Sequence, residues 1–332
     1  MLNSLIQSCY LITENSGWLD VILNPFKLYT IPLGDWITVA VNFIVDNFRP
    51  LFQAIRFPIG LALEWMESAF LSIPPLIFLI VIGLVVWQLA GQKIASYSVV
   101  IMLAIGFLGT WEPAMVTLSL MVTAVAICVV VGIPLGIACA RSDRLNQIIQ
   151  PILDTMQTLP IFIYLVPIVM LFGIGQVPGV IATFIVAVPP QIRLTNMGIR
   201  QVSTEVIEAA QAFGSTPLQV LWEVQIPLAI PTILAGVNQT IMMALSMVVV
   251  ASMIAVKGLG LMVLQSVSRM DIGTGTVGGL GIVLLAIMLD RITQAMGNTN
   301  NISWKEQGPI GFILSRLKPQ KTSDLAELTN PQ

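Results

Sequence analysis

Six stretches of this chain carry no charged residue, and that limits its fold more than any motif does. They lie between Glu67 and Lys93, Lys93 and Glu112, Glu112 and Arg141, Asp154 and Arg193, Glu223 and Lys257, and Asp271 and Asp290. A helix that crosses the hydrocarbon core of a bilayer needs about 20 apolar residues, since each adds only about 1.5 Å of length. The block 155–192 has room for two crossings, with Gly173-Ile174-Gly175-Gln176-Val177-Pro178 as the turn between them. Expected spans lie near 70–90, 96–110, 114–140, 159–173, 178–192, 228–252 and 274–290. The chain is therefore read as an all-α, polytopic membrane protein with about seven transmembrane helices. Composition agrees with this, being 56% hydrophobic and 10% charged. Soluble domains carry charge on about a quarter of their residues, so this chain lacks the skin that water requires.

Four regions follow. Residues 1–69 read as an amphipathic, interfacial N-terminal region on the outer side, which Pro25, Pro32, Pro50 and Pro58 are expected to break into short pieces such as Trp36–Phe48. Met1–Leu11 has no Lys or Arg ahead of its apolar residues and no small-residue cleavage site, so it does not read as a cleaved signal peptide. Residues 70–110 supply two peripheral transmembrane helices, and 111–297 the main membrane core, with a polar excursion at 193–227. Residues 298–332 form a cytoplasmic tail that holds Pro309 and Pro319. If the excursion is cytoplasmic, Lys93, Arg141, Arg144, Arg193, Arg200, Arg291, Lys305, Arg316, Lys318 and Lys321 lie inside. Lys27, Arg49, Arg56, Lys257 and Arg269 then lie outside. Excess of Lys and Arg marks the cytoplasmic side, which puts the N-terminus outside and the C-terminus inside.

Several function classes drop out by inventory. The chain has no histidine, so it offers no His-ligated metal, Ser-His-Asp triad or histidine proton relay. Cys9, Cys128 and Cys139 form no CxxC pattern and read as small buried residues. A net charge of −2 leaves no basic footprint for nucleic acid. No ionisable side chain sits inside the expected spans away from their ends, which counts against an ion-coupled secondary transporter but leaves it as the lesser alternative, and no catalytic constellation for a membrane-embedded enzyme is visible. A GxxxxGK[ST] phosphate loop is absent, so no nucleotide cofactor is bound by that route. Energy for uphill transport would have to come from another subunit.

The excursion from Arg193 to Gln225 reads as two short helices. Ser203 is placed to cap the first, with Glu205 and Glu208 favourable to its dipole, and Gly214 to stop it. Thr216, Pro217 and Gln219 then spell a new start: a capping hydroxyl, a proline at the first helical position and a glutamine closing a capping box. Such a corner serves either as a docking knob or as an amphipathic loop on the headgroups.

Glu208-Ala209-Ala210, then Gly214, then Val224-Gln225-Ile226-Pro227 after nine residues resembles the EAA loop of bacterial ABC importer permeases, with Val224 and Ile226 as its departures. Met156-Gln157-Thr158-Leu159-Pro160, Pro189-Pro190-Gln191-Ile192-Arg193-Leu194-Thr195, Ala235–Thr240, Ala244–Val249 and Leu289–Ala295 are similar to permeases of glycine betaine/proline ABC importers, over roughly Leu108 to Gly297. The resemblance implies a type I importer core: two permease copies around one path, two cytoplasmic ATPase copies that bind the ATP, and a periplasmic or tethered binding protein, in the inner membrane of a bacterium. It implies that Glu208, Ala209, Ala210 and Gly214, with Pro217 and Pro227, dock the ATPase, and that the chain is a transporter subunit and not an enzyme. Permeases for choline, carnitine, taurine or another small solute share that loop and stay open.

Asn238, Gln239 and Thr240 are the main polar cluster within a span. They either line the path or bond neighbouring helices. A quaternary ammonium solute favours aromatic faces, and Trp111, Phe162, Tyr164 and Phe172 are available, though interfacial anchoring is an equal use. The glycine-rich stretch Gly258–Gly281 is expected to form the outer loop and the entry to the last span.

Overall fold

The computed structural model describes residues 32–298, so the expectations for Met1–Leu11, Cys9, Pro25 and the tail beyond Asn298 lie outside the described residues. Among the described residues every regular element is helical. Of the described residues, those up to Leu51 belong to one compact unit and those from Phe52 to another.

The first helix, α1 (Leu33–Ser72), corrects the expected short pieces, because it runs unbroken through Pro50 and Pro58. Each proline removes one backbone donor. Continuing the helix keeps the backbone groups on either side of each proline paired within it, whereas a break would leave up to four donors and four acceptors without helical partners. In the first unit its Trp36, Val39, Phe43 and Phe48 are exposed, interleaved with Asp35, Asp46 and Arg49.

In the second unit, Pro75 at its first turn opens α2 (Pro75–Ala90), and Gly91, at φ +87°, turns the chain into α3 (Gln92–Phe107). These two sit on a cluster built from Phe78, Met102, Ile105, Met115, Leu118, Leu285 and Met288. Trp111 and Phe70 both meet the Phe78 ring edge to face. The next elements are α4 (Trp111–Arg141), α5 (Asp143–Thr158), α6 (Ile161–Phe172), α7 (Gln176–Arg200) and α8 (Thr204–Ala212). They are followed by α9 (Pro217–Ile254), α10 (Leu259–Arg269) and α11 (Ile272–Asn298). The stretch Gly258–Gly281 thus holds the short helix α10 and the start of α11.

Each expected span has its helix, but the helices differ in reach. Four of them, α4, α7, α9 and α11, are long and apolar enough to cross a bilayer alone. α6 has only 12 residues and meets that test only together with α5, from which it is bent by 99°. At about 1.5 Å per residue, α6 spans roughly 18 Å, short of a bilayer core of about 30 Å.

The inner layer is α7 held between α4 and α9, and glycine sets the spacing. A Cβ added at Gly132 would lie 2.8 Å from Gln191 Cγ, and one at Gly136 would lie 2.6 Å from Thr195 Cβ and 2.9 Å from the Ile192 carbonyl oxygen. On the other flank, Gly198 meets Thr232 at 2.9 Å and Gly236 meets Leu194 at 3.2 Å. Gly132 and Gly136 stand one helical turn apart, a small-xxx-small pair that lets two backbones approach where lipid offers no hydrophobic drive between helices. Pro189 and Pro190, both buried, lie inside α7 beside this contact.

Candidate functional site

The polar corner begins where α7 ends. The sequence reading placed two short helices between Arg193 and Gln225. Instead α7 continues to Arg200, α8 is the one short helix, and the second is the start of α9. Arg193 does not end α7 because its side chain leaves the apolar surroundings and pairs with Asp154 on α5. Near the start of α9, Val220–Gln225 forms a π-helical stretch, and the Ile226 amide donates to the Leu221 carbonyl, five residues back. This widened turn immediately precedes Pro227, which has no amide to donate, so the helix absorbs Pro227 and Pro231 without stopping.

Local chemistry shapes the corner. Ser203 caps α8 with its backbone carbonyl, which accepts from Val206 and Ile207 at 3.2 and 3.3 Å, while its hydroxyl makes no capping bond. At the other end the Ser215 amide donates to Ala210 O at 3.1 Å and the Gly214 amide to Gln211 O at 2.9 Å, with Gly214 at φ +88°. That pair of bonds is a Schellman stop, and the positive φ is what calls for glycine there. Two residues on, Thr216 and Gln219 form the expected capping box: the Thr216 amide donates to Gln219 Oε1 at 2.8 Å, and the Thr216 hydroxyl accepts from the Gln219 amide at 3.4 Å.

None of α8 is buried. Glu208 and Ala209 are exposed, Ala210 is half-buried, and Gly214, Pro217 and Pro227 are exposed. Phe213 is 92% exposed, and Leu218 and Trp222 also show large apolar surface. Single exposed apolar residues are ordinary, but four grouped around one short polar corner, Val206 included, are a surface suited to a protein partner.

Four of the residues considered for the path, Asn238, Gln239, Thr240 and Tyr164, do not converge on one cavity. Asn238 is half-buried and its Oδ1 accepts from the Thr293 hydroxyl of α11 at 2.6 Å. Gln239 is exposed, and Thr240 is fully buried, with its hydroxyl unpartnered among the described residues. Tyr164 packs half-buried on α6 beside Leu165, Ile168, Phe172, Ala182 and Met247.

Two features escaped the sequence reading. Gln191, 0% exposed, lies at the α4–α7–α9 contact, where its amide donates to Thr195 Oγ1 at 3.3 Å and its Oε1 has no partner among the described residues. The Gly132-Ile133-Pro134-Leu135-Gly136 spacing was the signal that could have located this contact. The second is a polar ladder joining α5 to α7. Arg193 pairs with Asp154, Asn196 donates to Asn146 Oδ1 at 2.9 Å, and Arg200 pairs with Asp143 at 2.7 Å.

Known proteins resemble this chain in sequence. The family described as binding-protein-dependent transport system inner membrane component matches residues 132–298, which take in the glycine pair, α7, the corner and α9 to α11. The glycine betaine/proline betaine transport system permease protein of Escherichia coli is 53% identical over 296 residues, covering 88% of this chain and 84% of that protein. The glycine betaine/carnitine transport permease protein of Listeria monocytogenes is 48% identical over 270 residues, 80% of this chain and 95% of its own length. The glycine betaine transport system permease protein of Bacillus subtilis is 44% identical over 268 residues, with 81% and 95% covered.

Proposed function

Because the chain belongs to the family of binding-protein-dependent transport system inner membrane components, we propose that it is the membrane-spanning permease of an ATP-driven importer of glycine betaine and related betaine-type solutes. The observation that carries this reading is 53% identity, sustained over most of both chains, to a permease of that description. The permease performs no covalent chemistry. It provides a path that opens alternately to either side, and its energy comes from ATP bound by a separate subunit.

The corner between α7 and α9 is the natural place for that subunit to act. Its shape is set by the Schellman stop and the capping box, its surface is exposed, and Glu208, Ala209 and Ala210 lie on its helix. Small alanines let a partner helix approach closely, and Gly214 sets the bend. Pro217 and Pro227 start and stiffen the helix that carries any push toward the membrane core. In this reading the corner is cytoplasmic, the N-terminus outside and the C-terminus inside. Two permease copies enclose one path between two ATPase copies and a binding protein on the outer side. The exposed apolar faces support neighbours in the membrane: in the apolar window of α11 only 22% is buried within this chain, leaving Leu280, Val283 and Ile287 for lipid or a second copy.

The test is uptake of radiolabelled glycine betaine into proteoliposomes that hold the chain with its ATPase and binding protein. Uptake is expected to need ATP and to fall at least tenfold in Glu208→Lys, with insertion unchanged. Uptake that proceeds equally without ATP would overturn the importer reading. ATP-dependent uptake of labelled carnitine or choline with none of glycine betaine would name a different cargo for the same machine.

A further inference from the structure

Three helix ends meet at a single side chain. Arg200 is the last residue of α7, three positions before Ser203 caps α8. Its Nε donates to Asn196 Oδ1 at 2.9 Å, one terminal nitrogen donates to the Cys139 carbonyl at 2.9 Å, and the same nitrogen pairs with Asp143 at 2.7 Å. Cys139 O is among the last carbonyls of α4, which have no partner inside their own helix. Asp143 is the first residue of α5, which Ser142 caps by accepting from the Leu145 amide at 3.3 Å. One guanidinium therefore ties the end of α4 and the start of α5 to the end of α7. Its planar fork can serve these acceptors together, where a lysine ammonium would lose the fixed geometry.

The tie is extended by further rungs. Asn196 turns its amide to Asn146, and Arg193 pairs with Asp154, so residues 143, 146 and 154 of α5 face 200, 196 and 193 of α7 in antiparallel order. As stabilising elements these rungs are weak, since the ion-pair side chains are 39 to 80% exposed and half-exposed pairs add little to stability. Their value is geometric. α5 leads through the 99° bend into α6, whose Leu165, Ile168 and Phe172 pack with Ala182 of α7 and Met247 of α9.

We infer that Arg200 is a positioning residue that locks α5 to the root of the coupling corner, so that displacement of α8 moves the bent pair α5–α6 together with α7. This rests on the permease reading for its functional consequence, but the clamp itself is a property of the chain alone. Without it, α8 and α7 would move while α5 lagged, and ATP would be hydrolysed without delivering solute.

The experiment has two arms. In the complete reconstituted complex, Arg200→Gln is expected to lower solute delivered per ATP hydrolysed about tenfold, with ATPase turnover kept within twofold of wild type. Asp154→Arg and Arg193→Asp are each expected to reduce that ratio by a smaller factor, and the doubly reversed chain to restore it, which a role in stability alone would not produce. In the second arm, spin labels at Gln147→Cys on α5 and Gln211→Cys on α8, with Cys9, Cys128 and Cys139 replaced by serine, report distance in the purified permease without partners. A narrow distribution that broadens in Arg200→Gln supports the clamp. An unchanged distribution, or an unchanged ratio in the complex, overturns it. If wild-type complex fails to transport while the labels behave as expected, the permease reading fails and the clamp stands.

Discussion

The α4–α7–α9 contact and the α8 corner are built by opposite means. At the contact the backbones are so close that glycine is required by space: a single added carbon at Gly136 would meet Thr195 Cβ at 2.6 Å. At the corner an added carbon at Gly214 would meet nothing within 4 Å, and glycine is required only by the φ of +88°. The first region owes its shape to its neighbours. The second owes its shape to its own hydrogen bonds, through the Gly214 stop and the Thr216–Gln219 box, and it buries no residue of α8. A region shaped by neighbours is rigid in place, whereas one shaped locally keeps its form while it is moved. That combination suits a part that is gripped and pushed.

The same substitution at the two glycines should therefore have different readouts, and this is the sharpest way to break the comparison. Gly136→Ala forces a methyl against a backbone carbonyl and a β-branched side chain that are themselves packed. It is expected to cost about 1–3 kcal/mol and to lower the melting temperature of the detergent-solubilised protein, with reduced yield from membranes. Gly214→Ala costs about 1–2 kcal/mol of local backbone strain. Because the corner lies outside the packed core, its melting temperature should stay close to wild type while the stop at α8 loosens. Thermal unfolding of both variants side by side decides the matter. Equal falls would mean that the corner is part of the cooperative core.

A smaller effect should come from the corner's surface. Phe213, Leu218 and Trp222 are apolar and exposed, and Phe213, at 92%, has almost none of its surface covered by the chain. Phe213→Asp is expected to leave the melting temperature unchanged and to weaken binding of the ATPase subunit at least tenfold, or about 1.4 kcal/mol, as measured by co-purification across a concentration series. An aromatic buried at the centre of an interface commonly costs more than this when removed. Wild-type binding in Phe213→Asp would overturn the proposal that an ATPase subunit docks at the end of α8.

These contrasts also explain which parts of the molecule were legible from sequence. Charge-free blocks announced the four helices long and apolar enough to cross a bilayer alone, because burying an unpaired charge in hydrocarbon is too costly to be hidden by local detail. Gly214 and Thr216-Pro217-x-Gln219 were legible for a related reason: caps act over three or four residues and need no partner from elsewhere. The continuity of α1 through Pro50 and Pro58 was not legible, since local rules count the lost amide and not the backbone bonds that a continuous helix keeps on either side. Nor was the Arg200 junction, whose partners are Cys139 O and Asp143, about 60 positions away in sequence. Asn238, Gln239 and Thr240 had two uses open to them in the sequence, lining the path or bonding a neighbouring helix, and their adjacency did not separate the two. Adjacent on paper, they are about 100° apart around a helix, and the structure sends one to Thr293, one to the surface and one into the core.

The comparison extends, with the smallest expected effect, to the cap that opens α11. Asp271 starts α11 as Thr216 starts α9: its Oδ1 accepts from the Thr274 amide at 3.1 Å. Hydrogen bonds from the Thr274 side chain and then its backbone hold the Asp271 carboxyl below its ordinary value, with Arg269 adding in the same direction and slight desolvation opposing. A carboxyl lowered in the folded state adds stability that is present above the unfolded value of about 3.9 and is lost as pH falls through the folded value. Asp271 is fully exposed, so the gain is small. Asp271→Asn should leave the melting temperature nearly unchanged at neutral pH, because asparagine caps almost as well. It should also flatten a slight fall expected for the wild type below about pH 4. Melting curves of both proteins from pH 3 to 7 test this, and a parallel fall in the two would mean that other carboxylates, and not this cap, control the acid limb.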